Sequence, residues 1–372
     1  MTRVLHSYSG NLYGGVETLL VTLARNRDLC PAMESHFALC FPGRMSSELT
    51  AARAPLYMMG SVRARWPLTV RRARRRFAEL LRGGAFDLVV CHSPWAQAIF
   101  GPGVRSAGLP LVFWLHDAIE GRHWLERWAS LTLPDLALCC SEYTAVKLAN
   151  IYPEIAATLV YHPVALAKPR RSGVDRAALR AALNTPPDAT VIVQVSRMEP
   201  WKGHSLHLEA LAMLRDLPEW ILWQVGGVQR PRELRYKEAL EAQAARLGVA
   251  SRVRFLGERS DVPELLAAAD IHCQPNVRPE PFGITFVEAL LAGLPVVTTA
   301  FGGAKEIVDK SCGILLAPGD THALAASLRL LIQDRALRSK LGAAGPARAR
   351  ELCDPAAQMN RLNEVLTSAA CQ

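Results

Sequence analysis

Two successive alternations of short apolar runs with helical segments constrain the fold of this chain most strongly. Each apolar run is followed by a turn and then by a segment of roughly 10–15 residues with helical periodicity, which is the pattern of parallel sheets with helices on both faces. The predicted strands are residues 3–8, 36–41, 55–59, 86–91, 111–115, 136–141 and 159–161, then 190–195, 221–225, 252–256, 269–274, 295–298 and 313–316. The sequence therefore predicts an α/β protein with two doubly wound, Rossmann-like domains.

A passage rich in proline and arginine separates the two arrays. Residues 168–173 read Lys-Pro-Arg-Arg-Ser-Gly, a composition typical of linkers between domains. We therefore predict one domain over residues 1–165, a second over residues 166–353, and a terminal amphipathic helix within residues 354–372. Because ligands of open parallel sheets lie beyond the carboxyl ends of the strands, facing strand ends are expected to form a cleft.

Composition limits the location and the chemistry of the protein. No apolar run reaches the roughly 18 residues of a membrane-spanning helix, and the N-terminus lacks a signal-peptide pattern. We therefore expect a cytoplasmic protein. None of the nine cysteines forms a Cys-x-x-Cys pair, which favours buried reduced thiols over disulfides or zinc ligands.

A glycine turn follows the first predicted strand. Gly14 and Gly15 lie between that strand and a helix predicted at residues 16–25. Glycines in such a turn allow backbone N–H groups to approach a phosphate. The spacing is not Gly-x-Gly-x-x-Gly, so no dinucleotide site is predicted, and a tight turn without a ligand is the alternative.

A strongly basic segment, residues 62–83, predicts an amphipathic helix with a preceding loop. One interpretation is a solvated face that packs Phe77 and Leu81 on the sheet. The other is a patch, from Arg63 to Arg82, for an anionic membrane surface or a polyanionic acceptor, which would place the protein peripherally on the inner face of a membrane. No nucleic-acid-binding module accompanies the segment, so no nucleic-acid partner is predicted.

Two histidines end predicted strands of the first array. His92 and His116 should lie at the carboxyl edge of the sheet and face a crevice. A single histidine is more often a satisfied structural residue than a ligand contact. Asp117 either orients His116 or caps the next helix.

Two acids in the second array, Glu280 and Glu288, flank a Pro-Phe-Gly turn. Glu280 lies in the loop after a strand, and Glu288 lies inside a helix predicted at residues 284–292. The start of such a helix exposes unpaired N–H groups and partial positive charge, which suits a phosphate. A surface loop followed by a capped helix is the alternative.

Two cations, Arg197 and Lys202, lie on the loop after the strand at residues 190–195. Arginine can bind phosphate through two parallel hydrogen bonds, and lysine supplies a point charge. Taken alone, they would be interpreted as solvated loop cations.

Together these motifs resemble the donor-binding signature of retaining family-4 glycosyltransferases (glycosyl transferases group 1), which have the GT-B fold. The resemblance rests on Glu280-x7-Glu288 followed by Ala289-x3-Gly293-x-Pro295-Val296-Val297, on Gly302-Gly303-x2-Glu306-Ile307-Val308, and on Ser196-Arg197-Met198-Glu199-Pro200-Trp201-Lys202-Gly203-His204. It implies an acceptor-side N-terminal domain, a donor-binding C-terminal domain, a central cleft between them, and a last helix that crosses back to the first domain.

The resemblance also implies roles for individual residues. Gly14 and Gly15 would close over the donor diphosphate and acceptor, and His116 would lie against the transferred sugar. Arg197 and Lys202 would stabilise the leaving phosphate, so neither a metal nor a cofactor is predicted. Contacts to the donor sugar, ribose, phosphate and base are expected from Glu280, Glu288, the N–H groups of Phe282, Gly283 and Ile284, and the region of Arg254 and Phe255.

The predicted function is retaining, metal-independent transfer of a sugar from a UDP- or GDP-sugar to a hydroxyl acceptor, a glycan or a lipid-linked intermediate of polysaccharide or glycolipid assembly. Two alternatives remain open. One is a sugar-nucleotide epimerase with a GT-B-like fold, and the other is a catalytically silent scaffold that binds nucleotide sugars. The sequence does not identify the donor sugar, the base or the acceptor.

Overall fold

The computed structural model describes residues 1–165, 175–217 and 220–371. The chain divides into two compact units. Unit 1 contains Met1–Val164 together with Cys353–Gln372, and unit 2 contains Ala165–Leu352. The Pro- and Arg-rich passage that predicts the domain boundary falls on residues 166–174, outside the described residues.

Unit 1 is built on a seven-stranded parallel sheet in the order β3-β2-β1-β4-β5-β6-β7. Strand β1 lies near the middle because successive crossovers run outward from it in both directions, as in doubly wound sheets. The elements are β1 (Thr2–Tyr8), α1 (Gly15–Arg25), a 3₁₀ turn (Arg27–Leu29), β2 (Met33–Leu39), α2 (Arg44–Ala51), β3 (Leu56–Met58), α3 (Pro67–Gly83), β4 (Leu88–His92), α4 (Pro94–Ser106), β5 (Leu111–Leu115), α5 (Trp124–Ser130), β6 (Leu136–Cys139), α6 (Glu142–Leu148) and β7 (Ala157–Leu159).

Unit 2 is built on a six-stranded parallel sheet in the order β10-β9-β8-β11-β12-β13. The elements are α7 (Arg176–Ala182), β8 (Thr190–Val195), a 3₁₀ turn (Pro200–Lys202), α8 (His204–Ala212), β9 (Trp220–Val225), α9 (Pro231–Arg246), a 3₁₀ turn (Ala250–Arg252), β10 (Val253–Gly257), α10 (Val262–Ala268), β11 (Ile271–Gln274), α11 (Ile284–Leu291), β12 (Val296–Thr299), α12 (Ala304–Ile307), β13 (Gly313–Leu316), α13 (Thr321–Gln333) and α14 (Arg335–Cys353). The prediction of two doubly wound parallel sheets is confirmed.

The last helix, α15 (Pro355–Ala370), belongs to unit 1 although α14 before it belongs to unit 2. Its apolar side chains Met359, Leu362 and Leu366 are buried in a core cluster that includes Val4 of β1 and Trp114 of β5. This packing explains why the chain returns to the first sheet. Within the described residues, none of the helices combines the length and the apolar character needed to cross a membrane.

One strand was predicted with the wrong bounds. The last strand of the first array was predicted at residues 159–161, but pairing with β6 ends at Leu159, because its partner Cys139 is the last residue of β6 and the chain then turns into α6, which Ser141 caps. Pro94 is the first residue of α4, where proline is well tolerated. Ile99 and Phe100 hold α4 in the core despite its internal Pro102.

We predict that Leu362→Ala destabilises unit 1 by roughly 2–5 kcal/mol, because it leaves a cavity in the core cluster that α15 shares with strands of the sheet. Hydrogen exchange should increase in peptides from β1 and β4 and stay unchanged in peptides from unit 2. Asn360→Ala, on the exposed side of the same helix, is the matched control. Equal exchange in both variants would show that α15 contributes little to the core.

Candidate functional site

A buried ion pair lies at the carboxyl edge of the sheet in unit 2. Lys202 Nζ lies 2.6 Å from Glu280 Oε2, and the two side chains are only 13% and 10% exposed. The same oxygen accepts hydrogen bonds from Asn276 Nδ2 at 3.0 Å and from Gln274 Nε2 at 3.2 Å. Glu280 Oε1 has no hydrogen-bond partner among the described residues. One side of this carboxylate is therefore saturated, and the other can accept from a ligand.

The loop that carries Glu280 is held by a second glycine loop. Glu280 forms an isolated parallel bridge with Gly302, and the N–H of Gly303 donates to the Glu280 carbonyl at 2.8 Å. Gly302 has φ +61°, and a Cβ at this position would lie 2.1 Å from the Glu280 carbonyl oxygen. Only glycine allows this close approach of two backbones. The pair of glycines after β12 thus fixes the position of the acid after β11.

Lys202 is positioned by buried amides from two strands. It ends the 3₁₀ turn Pro200–Lys202, and its carbonyl accepts from Gln194 Nε2 of β8 at 2.9 Å. Gln194 Oε1 in turn accepts from Gln224 Nε2 of β9 at 3.2 Å and lies 2.8 Å from His207 Nδ1 of α8. The Lys202 ammonium also lies 3.9 Å from the centre of the Trp201 ring. These contacts direct the ammonium toward Glu280.

Arg197 lies on the same loop but pairs with a different acid. Its Nη2 donates to Glu199 Oε2 at 2.9 Å, and the Trp201 indole N–H donates to the same oxygen at 3.0 Å. The Arg197 side chain is 28% exposed, and a guanidinium has five N–H donors. Arg197 can therefore bind an anion while it keeps its contact with Glu199.

Helix α11 begins directly after the Glu280 loop. Gly283 precedes it with φ +109°, a conformation that favours glycine, and no side chain caps the helix start. The N–H groups of the first turn of an α-helix have no intrahelical acceptor and carry partial positive charge. Phe282, Gly283 and Ile284 are thus placed at a helix start that can hold an anion, next to the Lys202–Glu280 pair.

Glu288 lies one turn inside α11. Burial raises the pKa of its carboxyl group from 4.5 to about 7. Within the described residues this carboxylate has no hydrogen-bond or salt-bridge partner. A desolvated acid without donors is unfavourable in its charged form, so hydroxyl groups of a ligand would stabilise it.

Arg254 and Phe255, predicted to lie near the base of the donor, contact other parts of unit 2. Arg254 is on β10, the edge strand of the sheet, and donates to the carbonyls of Ser251 at 2.6 Å and Asn184 at 2.9 Å. Phe255 packs against the core of unit 2, with Lys237 Nζ 5.6 Å from its ring centre. No described contact joins either residue to the Lys202–Glu280 pair, so their role near a base stays a prediction.

In unit 1, Gly14 and Gly15 form the start of α1. Gly14 is the extended residue before the helix, and Gly15 is its first residue. The Gly14 carbonyl accepts from the backbone N–H of Thr18 at 3.0 Å and from its hydroxyl at 2.9 Å. The glycine turn thus leads into a helix start, as the sequence predicts, and the phosphate-side role of this turn stays a prediction.

Four buried histidines form a continuous hydrogen-bonded chain along the carboxyl edge of the unit 1 sheet. His6 Nδ1 lies 2.9 Å from His92 Nε2, His92 Nδ1 lies 2.9 Å from His116 Nε2, and His116 Nδ1 lies 3.0 Å from His162 Nε2. Burial lowers the pKa of His6 and of His162 to about 3, and it lowers the pKa of His92 and of His116 well below the ordinary value. The four imidazoles are therefore neutral near pH 7.

This chain changes what His116 can do. Both of its ring nitrogens are engaged, and the residue is only 5% exposed. A direct hydrogen bond from its ring to a sugar would require one of these contacts to break. His92 is fully buried, so the expectation that it faces a crevice is wrong, because its ring lies between those of His6 and His116.

Sequence reasoning missed most of the residues that support these groups. Gln194, Gln224 and Gln274 each lie at or next to the end of a buried strand of unit 2. His6 and His162 lie near the corresponding ends in unit 1. A polar residue in an otherwise apolar strand, near its carboxyl end, is the signal that could have identified them.

Comparison with known proteins relates this chain to glycosyltransferases. Residues 13–168 match the model of Glycosyltransferase Family 4, and residues 175–348 match that of Glycosyl transferases group 1. The phosphatidyl-myo-inositol mannosyltransferase of Mycobacterium leprae is 29% identical over 350 residues, which are 91% of this chain and 89% of that protein. The lipopolysaccharide core biosynthesis glycosyltransferase LpsE of Rhizobium meliloti is 32% identical over 167 residues, 45% of this chain. That match covers about half of the length of LpsE (46%). The match to the mannosyltransferase LpsB of the same organism likewise covers 56% of the length of LpsB.

A solved structure agrees over the full length. HepE of Anabaena, in complex with UDP and glucose, has a TM-score of 0.86 and 26% identity, and the match covers 99% of this chain and 100% of that chain. The two family models together account for most of the sequence, one in each unit. This protein therefore belongs to the family 4, group 1 glycosyltransferases and has the GT-B type of fold.

Proposed function

We propose that this protein transfers a sugar from a nucleoside-diphosphate sugar to a hydroxyl group, with retention of anomeric configuration and without a metal. The observation that carries this proposal is the Lys202–Glu280 pair at the start of α11, one helical turn from the unpartnered carboxylate of Glu288. These groups offer a cation and helix N–H groups for a diphosphate, with an acid on each side of it for hydroxyl groups. A nucleotide sugar carries those groups in that order.

The comparisons support the donor class. HepE, whose identity to this chain exceeds one quarter, has been solved with UDP and with UDP-glucose. UDP-glucose is therefore the first donor to test, with GDP-sugars as the second set. Glu288 would accept from the two ribose hydroxyls, and Glu280 Oε1 would accept from a hydroxyl of the sugar. The base would lie near Arg254 and Phe255, as the family resemblance implies.

The proposed reaction needs stabilisation of a leaving phosphate. The bond between the anomeric carbon and the phosphate oxygen breaks, the acceptor oxygen bonds to that carbon from the same face, and the acceptor proton passes to the departing phosphate. The products are a glycoside and a nucleoside diphosphate. Arg197, Lys202 and the first N–H groups of α11 would stabilise the developing negative charge, a task that oriented donors can perform in place of a metal.

A lipid-linked acceptor is the class we propose. Relatives of this chain are lipopolysaccharide core and phosphatidyl-myo-inositol glycosyltransferases by name. The surface of α3 and its preceding loop fits an anionic membrane, because Trp66 and Leu68 are 60% and 81% exposed beside exposed Arg71 and Arg72. Phe77 and Leu81 on the other side of the helix are buried, as the alternative interpretation expects. We therefore infer that one face of α3 packs and the other binds the cytoplasmic face of a membrane.

We predict that Arg197→Ala and Lys202→Ala each lower kcat by about 10²–10³-fold, because each removes a charge that stabilises the leaving group. UDP release from UDP-glucose measures turnover even without an identified acceptor. Lys310→Ala, at an exposed position in unit 2, controls for loss of charge, and thermal unfolding controls for loss of folding. Near-normal turnover in both site variants would refute the assignment. An epimerised donor among the products would favour the epimerase alternative, and tight donor binding without any turnover would favour the scaffold.

The raised pKa of Glu288 predicts that UDP-glucose binds more tightly as the pH rises through about 7. The ionised carboxylate accepts two ribose hydrogen bonds, whereas the protonated form accepts them poorly. The folding stability of the free protein has the opposite pH dependence. A folded-state pKa of about 7 against an ordinary value of 4.5 contributes stability at low pH, and that contribution is lost as the pH rises through this interval.

Calorimetric titration with UDP-glucose from about pH 5.5 to about pH 8.5 brackets this pKa, and the diphosphate diester of the sugar nucleotide does not titrate there. Glu288→Gln should weaken binding and flatten the pH profile. The 2′,3′-dideoxy analogue of the donor should flatten the profile of the unmodified protein in the same way. A steep profile in Glu288→Gln would assign the pH dependence to another group.

If α3 binds an anionic membrane, the double variant Arg71→Glu with Arg72→Glu should bind more weakly to vesicles containing phosphatidylglycerol. We predict a loss of at least about a hundredfold, since each basic residue near an anionic surface contributes about 1 kcal/mol. Arg335→Glu with Lys340→Glu changes the same charge at exposed positions of α14 and should leave binding unchanged. Flotation with anionic and zwitterionic vesicles measures both. Equal losses in the two double variants would indicate net charge alone.

A further inference from the structure

A cluster of soft metal ligands lies in unit 1, where three neighbouring strands end. The side chains of alternate residues in a strand point to the same face. His116 follows Trp114 by two positions, and Cys140 follows Leu138 in the same way. Trp114 and Leu138 both lie in the core cluster that also contains Val160, two positions before His162. Strands β5, β6 and β7 therefore bring His116, Cys140 and His162 to one face at one edge of the sheet.

The distances suit a single ion. The ligand atoms of His116, Cys140 and His162 all lie within 4.8 Å of one another, and all three residues are buried. His116 Nδ1 and His162 Nε2 are 3.0 Å apart. Tetrahedral zinc, with bonds of about 2.0–2.1 Å to nitrogen and about 2.3 Å to sulfur, holds its ligand atoms roughly 3.3–3.8 Å apart. Shifts of about 1 Å or less would thus close the three residues on a metal.

We propose that His116, Cys140 and His162 form a zinc site with an open fourth position. Two imidazoles and a thiolate select zinc over magnesium or calcium, which prefer oxygen ligands. On binding, the Cys140 thiol releases its proton. The proton shared between His116 and His162 leaves the gap and is held at the outer nitrogen of His162, so each imidazole remains neutral.

The neighbouring histidines complete the surroundings of such a site. A histidine that binds a metal through one ring nitrogen donates its other N–H to a fixed acceptor. Nε2 of His116 lies 2.9 Å from Nδ1 of His92, and Nε2 of His92 lies 2.9 Å from Nδ1 of His6. With zinc on Nδ1 of His116, Nε2 of His116 would donate to Nδ1 of His92, and Nε2 of His92 would donate to Nδ1 of His6. Both hydrogen bonds would therefore persist. The hydroxyl of Thr144 lies 3.7 Å from Sγ of Cys140 and can orient that sulfur.

This site lies in unit 1, whereas the Lys202–Glu280 pair lies in unit 2, and the inference does not depend on the proposed transfer reaction. We infer a structural role for its ion. It would connect the ends of β5, β6 and β7, so we expect zinc to stabilise unit 1 against unfolding, because a ligand that binds only the folded state adds stability by mass action.

Titration of the chelator-treated, full-length protein with Co²⁺ and with Zn²⁺ tests the site. All variants carry Cys371→Ala, because Cys371 is the exposed cysteine. We expect one ion per chain, a Co²⁺–thiolate charge-transfer band, and a rise in the melting temperature with Zn²⁺. Cys140→Ala should remove the band and weaken zinc binding by at least about a hundredfold.

Two further variants keep the test decisive. Cys139→Ala is the matched control, since Cys139 is buried on the opposite face of the same strand, in another core cluster, and it should retain the band. His92→Gln should weaken zinc binding by about 10–100-fold and keep the band, since it alters only the support of His116. Absence of the band in the Cys371→Ala protein, or equal zinc affinity of Cys140→Ala and Cys139→Ala, would overturn the proposal and leave the histidine chain as a purely structural network.

Discussion

The carboxyl edge of the sheet in unit 2 is organised around the largely buried charge pair of Lys202 and Glu280. Burial of two charges costs several kcal/mol per ion and is offset only when hydrogen bonds satisfy the remaining valences. Here Gln274 and Asn276 donate to the same carboxylate oxygen as Lys202, and Gln194 fixes the lysine backbone. The polar ends of β8, β9 and β11 can thus be understood as the structure required by one ion pair. The proposed donor, which carries both hydroxyl groups and phosphate, would bind beside that pair without displacing either side chain.

Both units satisfy buried polar groups at one edge of their sheet, but they use different side chains. In a parallel sheet all strand ends meet at one edge, and polar groups there must satisfy one another when they are buried. Unit 2 uses amides, of which Gln194 accepts from Gln224. Unit 1 uses imidazoles, of which His92 lies between His6 and His116. A charged form of those imidazoles would be unfavourable without an acid beside them, and this agrees with their lowered pKa values.

The sequence predicted the parts of this structure that depend on local patterns. Apolar runs such as residues 111–115 and 190–195 gave strands with the observed bounds, and spacing placed Glu280 before a helix start and Glu288 inside the helix. Contacts between distant segments were not predictable in the same way. The partner of Lys202 is 78 positions away, and Arg197 pairs with Glu199 rather than with the Glu280 loop. The cysteine pattern favoured reduced thiols over zinc ligands because that argument considers neighbours along the chain, whereas the zinc site that we propose would combine His116, Cys140 and His162 from three strand ends.

The histidine chain has a further consequence. A neutral imidazole holds one proton on two nitrogens, and each gap between neighbouring rings holds one proton. Each ring must therefore donate in the same sense as the ring before it, as in a row of aligned water molecules. The row has two orientations, related by moving every proton across its ring, and the net charge is the same in both. Reversal would invert the electric dipole along the edge of β1, β4 and β5. A contact made at His162 would then change which ring nitrogen of His6 carries the proton, without the displacement of any strand.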